Sequence, residues 1–168
     1  MYIISSLDIF VKRFFTVAYI SLLWYISRAG KSKMLKIAIL NGGKKMTLEK
    51  TVRNNVTCAV IVSDEKVIFD AQSALDVLMS AKYELDTKNI VIVKHLIAED
   101  FFILSTGLAG EILQKYVNYG GRIAIYGDYS RYTSKPLKDF IYESNKGKDV
   151  FFAASRDEAI DMLCRQNH

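Results

Sequence analysis

Asn89-Ile-Val-Ile-Val-Lys94 constrains this chain more than any other stretch. An unbroken run of β-branched apolar residues, too short for a helix and with no polar alternation, has no face that can be left to water. Such a strand is stable only when both faces are covered, as in a parallel sheet flanked by helices. Two further strands follow, Arg122-Ile-Ala-Ile-Tyr-Gly-Asp128 and Asp149-Val-Phe-Phe-Ala-Ala154, and helical patterns fill the intervals.

The interval before Asn89 carries Leu75, Leu78, Met79 and Leu85, with Ala74 and Ala81, as one buried stripe. Asp70 and Ser73 offer N-cap chemistry there, and Ser73 with Asp76 has capping-box spacing. Val56–Val62 and Val67–Phe69, separated by the polar Ser63–Lys66, predict a hairpin. Ala98–Leu104 reads as a loop whose aromatics plug the sheet edge. A helix starting near Gly107 buries Leu108, Ile112 and Tyr116, presents Glu111, Gln114, Lys115 and Asn118 outward, and stops at Gly120-Gly121. Glu111 and Lys115 have the spacing of an ion pair. Ser134 with Pro136 opens the next helix, which Gly147 closes, and Ser155 with Glu158 caps a last one. The expected order is β-β-α-β-α-β-α-β-α, an α/β fold with a largely parallel sheet and an antiparallel first hairpin.

The net charge of +5 invites a search for nucleic acid or membrane. Residues 1–45 hold 8 of the 23 basic residues and 1 of the 18 acidic ones, so residues 46–168 carry 15 basic against 17 acidic and stand at −2. That balance argues against nucleic-acid binding by a single α/β domain spanning 46–168. Residues 1–45 are an extension. Its apolar part, Phe14–Ile26, is shorter than the roughly 18 to 20 residues of a spanning helix. It reads as a weak membrane anchor, or as sequence upstream of the true start. Gly42-Gly43-Lys44-Lys45-Met46 is what in-frame translation of a purine-rich ribosome-binding site and its start codon yields, which makes Met46 the expected first residue. The domain is then cytoplasmic, and membrane-associated only if residues 1–45 are real.

Little reaction chemistry is written in the chain. Gly107-Leu-Ala-Gly110 lacks a glycine of the dinucleotide fingerprint, and no P-loop lysine follows. Ser105 lacks the nucleophile-elbow context, and His95 has no partner nearby in sequence. Cys58 and Cys164 lie far apart without metal-ligand spacing and read as small buried hydrophobes. No cofactor and no metal are expected. The working surface is expected around Ser105, Thr106 and Gly107, along Glu111, Gln114 and Asn118, and at Asp128, Ser130, Arg131 and Tyr132, where a parallel strand ends at its carboxyl edge.

Asp100-Phe-Phe102, Thr106–Lys115, Val117-Asn-Tyr119, Gly127-Asp128, Ser134, Asp139-Phe-Ile141 and Glu143–Gly147 together resemble an uncharacterised bacterial family, domain of unknown function 4180. That family implies no assigned activity. More distantly, Ser105-Thr106-Gly107-Leu108 is similar to the helix opening Asp-Ser-Ser-Gly-Leu-Gly of STAS domains, the fold of anti-sigma-factor antagonists. Their phosphorylated serine maps onto Thr106, while Leu104 replaces the aspartate and Ala109 the second glycine. The resemblance implies a STAS-like fold and a small regulatory, protein-interaction domain, phospho-switched and docked to another protein such as a regulator or kinase. The alternative is a small-ligand module or enzyme using the Thr106, Glu111 and Asp128 edge with Tyr129 and Tyr132.

Overall fold

The computed structural model describes residues 35–41 and 44–165. Among the described residues six strands form one sheet: β1 Lys36–Asn41, β2 Lys44–Arg53, β3 Val56–Val62, β4 Asn89–Val93, β5 Arg122–Tyr126 and β6 Val150–Ala153, in the same order in space as in the chain. β1, β2 and β3 pair antiparallel, and β3 to β6 are parallel. Among the described residues the helices are α1 Ala71–Leu85, α2 Leu108–Asn118, α3 Lys135–Lys146 and α4 Arg156–Cys164.

Adjacent parallel strands joined in sequence by crossovers of one hand place all the crossover helices on one face. Ile61, Ile90, Ile92, Ile123 and Ile125 therefore meet Leu78, Ala81, Ile112 and Tyr116 in the front core. α4 packs under the opposite face, where Ala159, Ile160, Leu163 and Cys164 cover Cys58, Val60, Val91, Ala124 and Phe151. The alternation of these side chains along each strand explains why both faces had to be apolar.

The antiparallel part lies one element upstream of its expected place. β2 and β3 make the hairpin, turning at Asn54 and Asn55, whose φ values of 52° and 62° match a primed turn that asparagine tolerates. Val67–Phe69 is instead held to the loop after β4: the Val67 and Ile68 N–H groups donate to Leu96 O, and Ile68 bridges Ile97. Met46 lies within β2, 1% exposed and opposite Ile39, so the boundary expected between 45 and 46 falls inside a strand. Ile37 and Ile39 pack against the front core. The anchor reading of Phe14–Ile26 lies outside the described residues. No helix among the described residues is long and apolar enough to cross a membrane.

The capping box of α1 is also shifted. Asp70, with extended φ of −153°, is the N-cap; its Oδ1 accepts from Ser73 N–H at 2.7 Å and Ser73 Oγ accepts from Asp70 N–H at 3.0 Å. Asp76, on the helix, pairs with Gln72. α2 ends as expected, with Gly120 at φ +65° and Gly121 N–H donating to Tyr116 O at 2.7 Å, the arrangement of a Schellman motif.

Candidate functional site

Between β4 and α2 the chain makes three short 3-10 turns, Lys94–Leu96, Glu99–Phe102 and Leu104–Thr106. Phe101 and Phe102 are buried beneath them in the front core. Ser105, Thr106 and Gly107 are exposed at the exit. The Thr106 hydroxyl shares its proton between Asp100 O at 2.7 Å and Ile103 O at 2.9 Å, and accepts from Leu108 N–H at 3.3 Å. Gly107 follows at φ +78°, a left-handed conformation that glycine enters without a Cβ penalty. Thr106 and Gly107 thus set the direction in which α2 leaves.

α2 buries Ala109, Ile112 and Tyr116 and turns Glu111, Gln114 and Asn118 outward. These three, with Lys115 and with Ala71 at the start of α1, line an open groove of about 290 Å³. Gln114 Nε2 donates to Asn118 Oδ1 at 2.8 Å, tying two rim amides together. The expected Glu111–Lys115 ion pair is not formed: among the described residues neither is ion-paired to the other, and both side chains stand at the groove instead.

The residues expected at the strand's carboxyl edge form a different cluster. Asp128 closes a turn, its Oδ1 accepting from Ser130 N–H at 2.8 Å and its Oδ2 from Ser130 Oγ–H at 2.9 Å. These bonds hold its carboxyl below the usual range, the backbone N–H contributing most. Lys94 Nζ donates to Asp128 O and lies 4.7 Å from the Tyr132 ring centre and 5.6 Å from that of Tyr129. Phe102 packs on both rings, at 5.2 Å and 6.2 Å. Tyr129 donates its hydroxyl to Ile125 O at 2.9 Å, and Tyr132 to Glu99 Oε2 at 3.1 Å. Burial, then Glu99, pushes the Tyr132 phenol up to about 12. Gly127 lets the chain pass Lys94: an added Cβ would lie 2.8 Å from Lys94 Cγ. Arg131 is exposed in the same loop.

The expected residues therefore fall into two groups. Glu111, Gln114 and Asn118 line the groove, whereas Thr106, Asp128 and the loop tyrosines do not. His95 is exposed on a 3-10 turn. Among the described residues no group of three or more His, Cys, Asp or Glu side chains could hold a metal ion. Lys94 carries no sequence signal for its place over two tyrosines; only the fold brings the ends of β4 and β5 side by side.

The family model described as Domain of unknown function (DUF4180) matches residues 53–163. The chain belongs to that family. The match runs from the last residue of β2 into α4 and so takes in, among the described residues, every parallel strand and all or most of each helix of this DUF4180 protein. The crystal structure of a candidate anti-sigma factor antagonist from Thermotoga maritima is 14% identical, covering 70% of this chain and 95% of that chain with a TM-score of 0.35. That likeness is too loose to bear on fold or function. Among curated proteins nothing matches.

Proposed function

We propose that this DUF4180 domain is a small regulatory module that seats a helical segment of another protein in the α1–α2 groove. The observation that supports it is the coincidence of that groove with the outward row Glu111, Gln114, Lys115 and Asn118, spaced as one strip of helix surface. The groove is open, with a charge of each sign and two amides at its rim. Small-molecule sites, by contrast, enclose most of their ligand. Glu111 and Lys115, not paired to one another, call for a partner segment carrying a basic residue opposite the first and an acidic residue opposite the second.

Thr106 is the point at which such docking would be regulated. A phosphate there removes the proton donated to Asp100 and Ile103 and puts negative charge at the N-terminus of α2, the helix that carries the groove. Modification would thus alter the turn and the docking face together.

A photo-crosslinker placed at Gln114 in the native cell tests the docking, with Tyr142 on the exposed side of α3 as the control position. The expected result is a partner trapped at Gln114 alone, lost on Glu111→Lys and recovered when the facing basic residue of that partner is reversed. The same set of proteins at both positions, or none at Gln114, would refute the reading. A ligand panel separates the alternative class, since a small molecule at about a hundred times its Kd adds roughly 2.7 kcal/mol to stability.

A further inference from the structure

Cys58 lies on β3 and Cys164 is the last residue of α4, yet their Sγ atoms are 3.7 Å apart. Both are fully buried in the back core. Either cysteine alone would be a small hydrophobe. Together they are two sulfurs already facing one another, and a bond of about 2.05 Å needs a closure of less than about 2 Å.

The two ends of that gap differ in freedom. Cys58 is fixed, because β3 is held between β2 and β4. Cys164 ends a helix, where the backbone opens most readily. Arg122 fastens that end: its Nη1 donates to Leu163 O at 2.7 Å and its Nε to Lys148 O at 2.7 Å. Burial, then the adjacent Cys164 sulfur, pushes the Cys58 thiol up to about 12, so in the closed core it is a poor nucleophile. Reaction requires the last turn of α4 to lift.

We propose that Cys58 and Cys164 form a peroxide-responsive dithiol which, on oxidation, becomes an internal disulfide stapling α4 to β3. When the helix end opens, Cys164 loses its proton and its Sγ attacks one oxygen of a hydroperoxide. The O–O bond breaks, the sulfur becomes a sulfenic acid, and the other oxygen leaves as water or alcohol carrying the proton. Cys58 Sγ then attacks the sulfenic sulfur. The S–S bond forms, the S–O bond breaks, and hydroxide leaves with the Cys58 proton as a second water. The two thiols together give up two electrons, and the peroxide takes them. Arg122 is a positioning residue that sets how often Cys164 is reached.

The test treats the folded full chain with hydrogen peroxide, then alkylates, weighs and peptide-maps it. The expected result is an intact mass lower by two hydrogens, a peptide pair joined through Cys58 and Cys164, and no cross-linked dimer. The melting temperature should rise on the order of 10 °C and return on reduction. Cys58→Ser should stop at a sulfenic acid trapped on Cys164, and Arg122→Gln should oxidise several-fold faster than the parent at equal peroxide. Mapping of the parent chain decides the matter even if the serine variant does not fold. Thiols that stay reduced until denaturant is added, or disulfides only between chains, would overturn the proposal. An unchanged rate in Arg122→Gln would overturn the assignment of that residue.

Discussion

The Thr106 hydroxyl donates to the carbonyl oxygen of Asp100 at 2.7 Å, six residues upstream, so the side chain that would carry a switch also holds the turn that launches α2. Thr106→Ala removes this donor and leaves the turn carbonyls to water, at an expected cost of about 1 kcal/mol. Thr106→Ser keeps the hydroxyl and should restore most of it. Thr106→Glu cannot donate at all, and amide exchange at Leu104–Leu108 should quicken in it beyond the alanine variant. Denaturant titration and hydrogen exchange measure both effects; equal protection in all three variants would show that the bond does not hold the turn.

Glu49 links pH to the edge of the sheet. Burial alone would raise its carboxyl, but Lys36 at 2.6 Å and Arg156 at 2.9 Å outweigh burial and hold it below its ordinary 4.5. A carboxyl lowered by folding contributes stability that is present above the unfolded value and is lost as pH falls through the folded one. Unfolding free energy should therefore drop as the pH goes below about 4.5, and Glu49→Gln should flatten that limb. At neutral pH the same variant should lose about 1–2 kcal/mol, the low end for charged hydrogen bonds because both cations stand half in water.

Tyr116 is wholly buried, and among the described residues its hydroxyl has no hydrogen-bond partner, so burial pushes the phenol far above its usual range. A buried polar group without a partner costs stability. Tyr116→Phe keeps the ring that fills the α1–α2 core and should be neutral or stabilising by about 1 kcal/mol in thermal unfolding. A loss of that size would mean that the hydroxyl is satisfied in solution.

Gly121 lies against the same core. A Cβ there would meet Leu78 Cδ2 at 2.7 Å and Tyr116 Cδ1 at 3.1 Å. Gly121→Ala should cost about 1–3 kcal/mol through overpacking. Calorimetry on that variant reads the cost directly, and an unchanged midpoint would mean that Leu78 rotates out of the way.

The parallel strands and the four helix stripes were legible because each rests on a local period: Ile90–Val93 without a polar break, or Leu108, Ile112 and Tyr116 one turn apart. Failures came where a residue chose between a near and a far partner. Val67–Phe69 has strand composition, but the Val67 and Ile68 N–H groups donate to Leu96 O, a contact no window of sequence contains. Ser73 has an aspartate three residues away on each side, and Asp70 takes the cap because its backbone is extended while Asp76 is inside the helix. The alternation of Met46 and Leu48 with Thr47 and Glu49, ending at Asn54-Asn55, is the local strand and hairpin signal of β2 and its turn. Of the site, the outward row of α2 was readable from its polarity, and the groove beside it was not, since Ala71 reaches it from another helix. The proximity of Cys58 and Cys164 had no sequence trace at all.

The placement of α4 bears on how the chain comes off a ribosome. Among the described residues every strand is made before α4, which shelters the back of the sheet, so Cys58, Val60, Val91, Ala124 and Phe151 are synthesised well ahead of Ile160 and Leu163. During elongation the front layer can assemble around α1 to α3, while the reverse side stays sticky until α4 emerges from the exit tunnel. A half-dressed sheet is thus exposed until α4 arrives, and slowing translation before Arg156 should prolong that interval more than slowing it anywhere earlier.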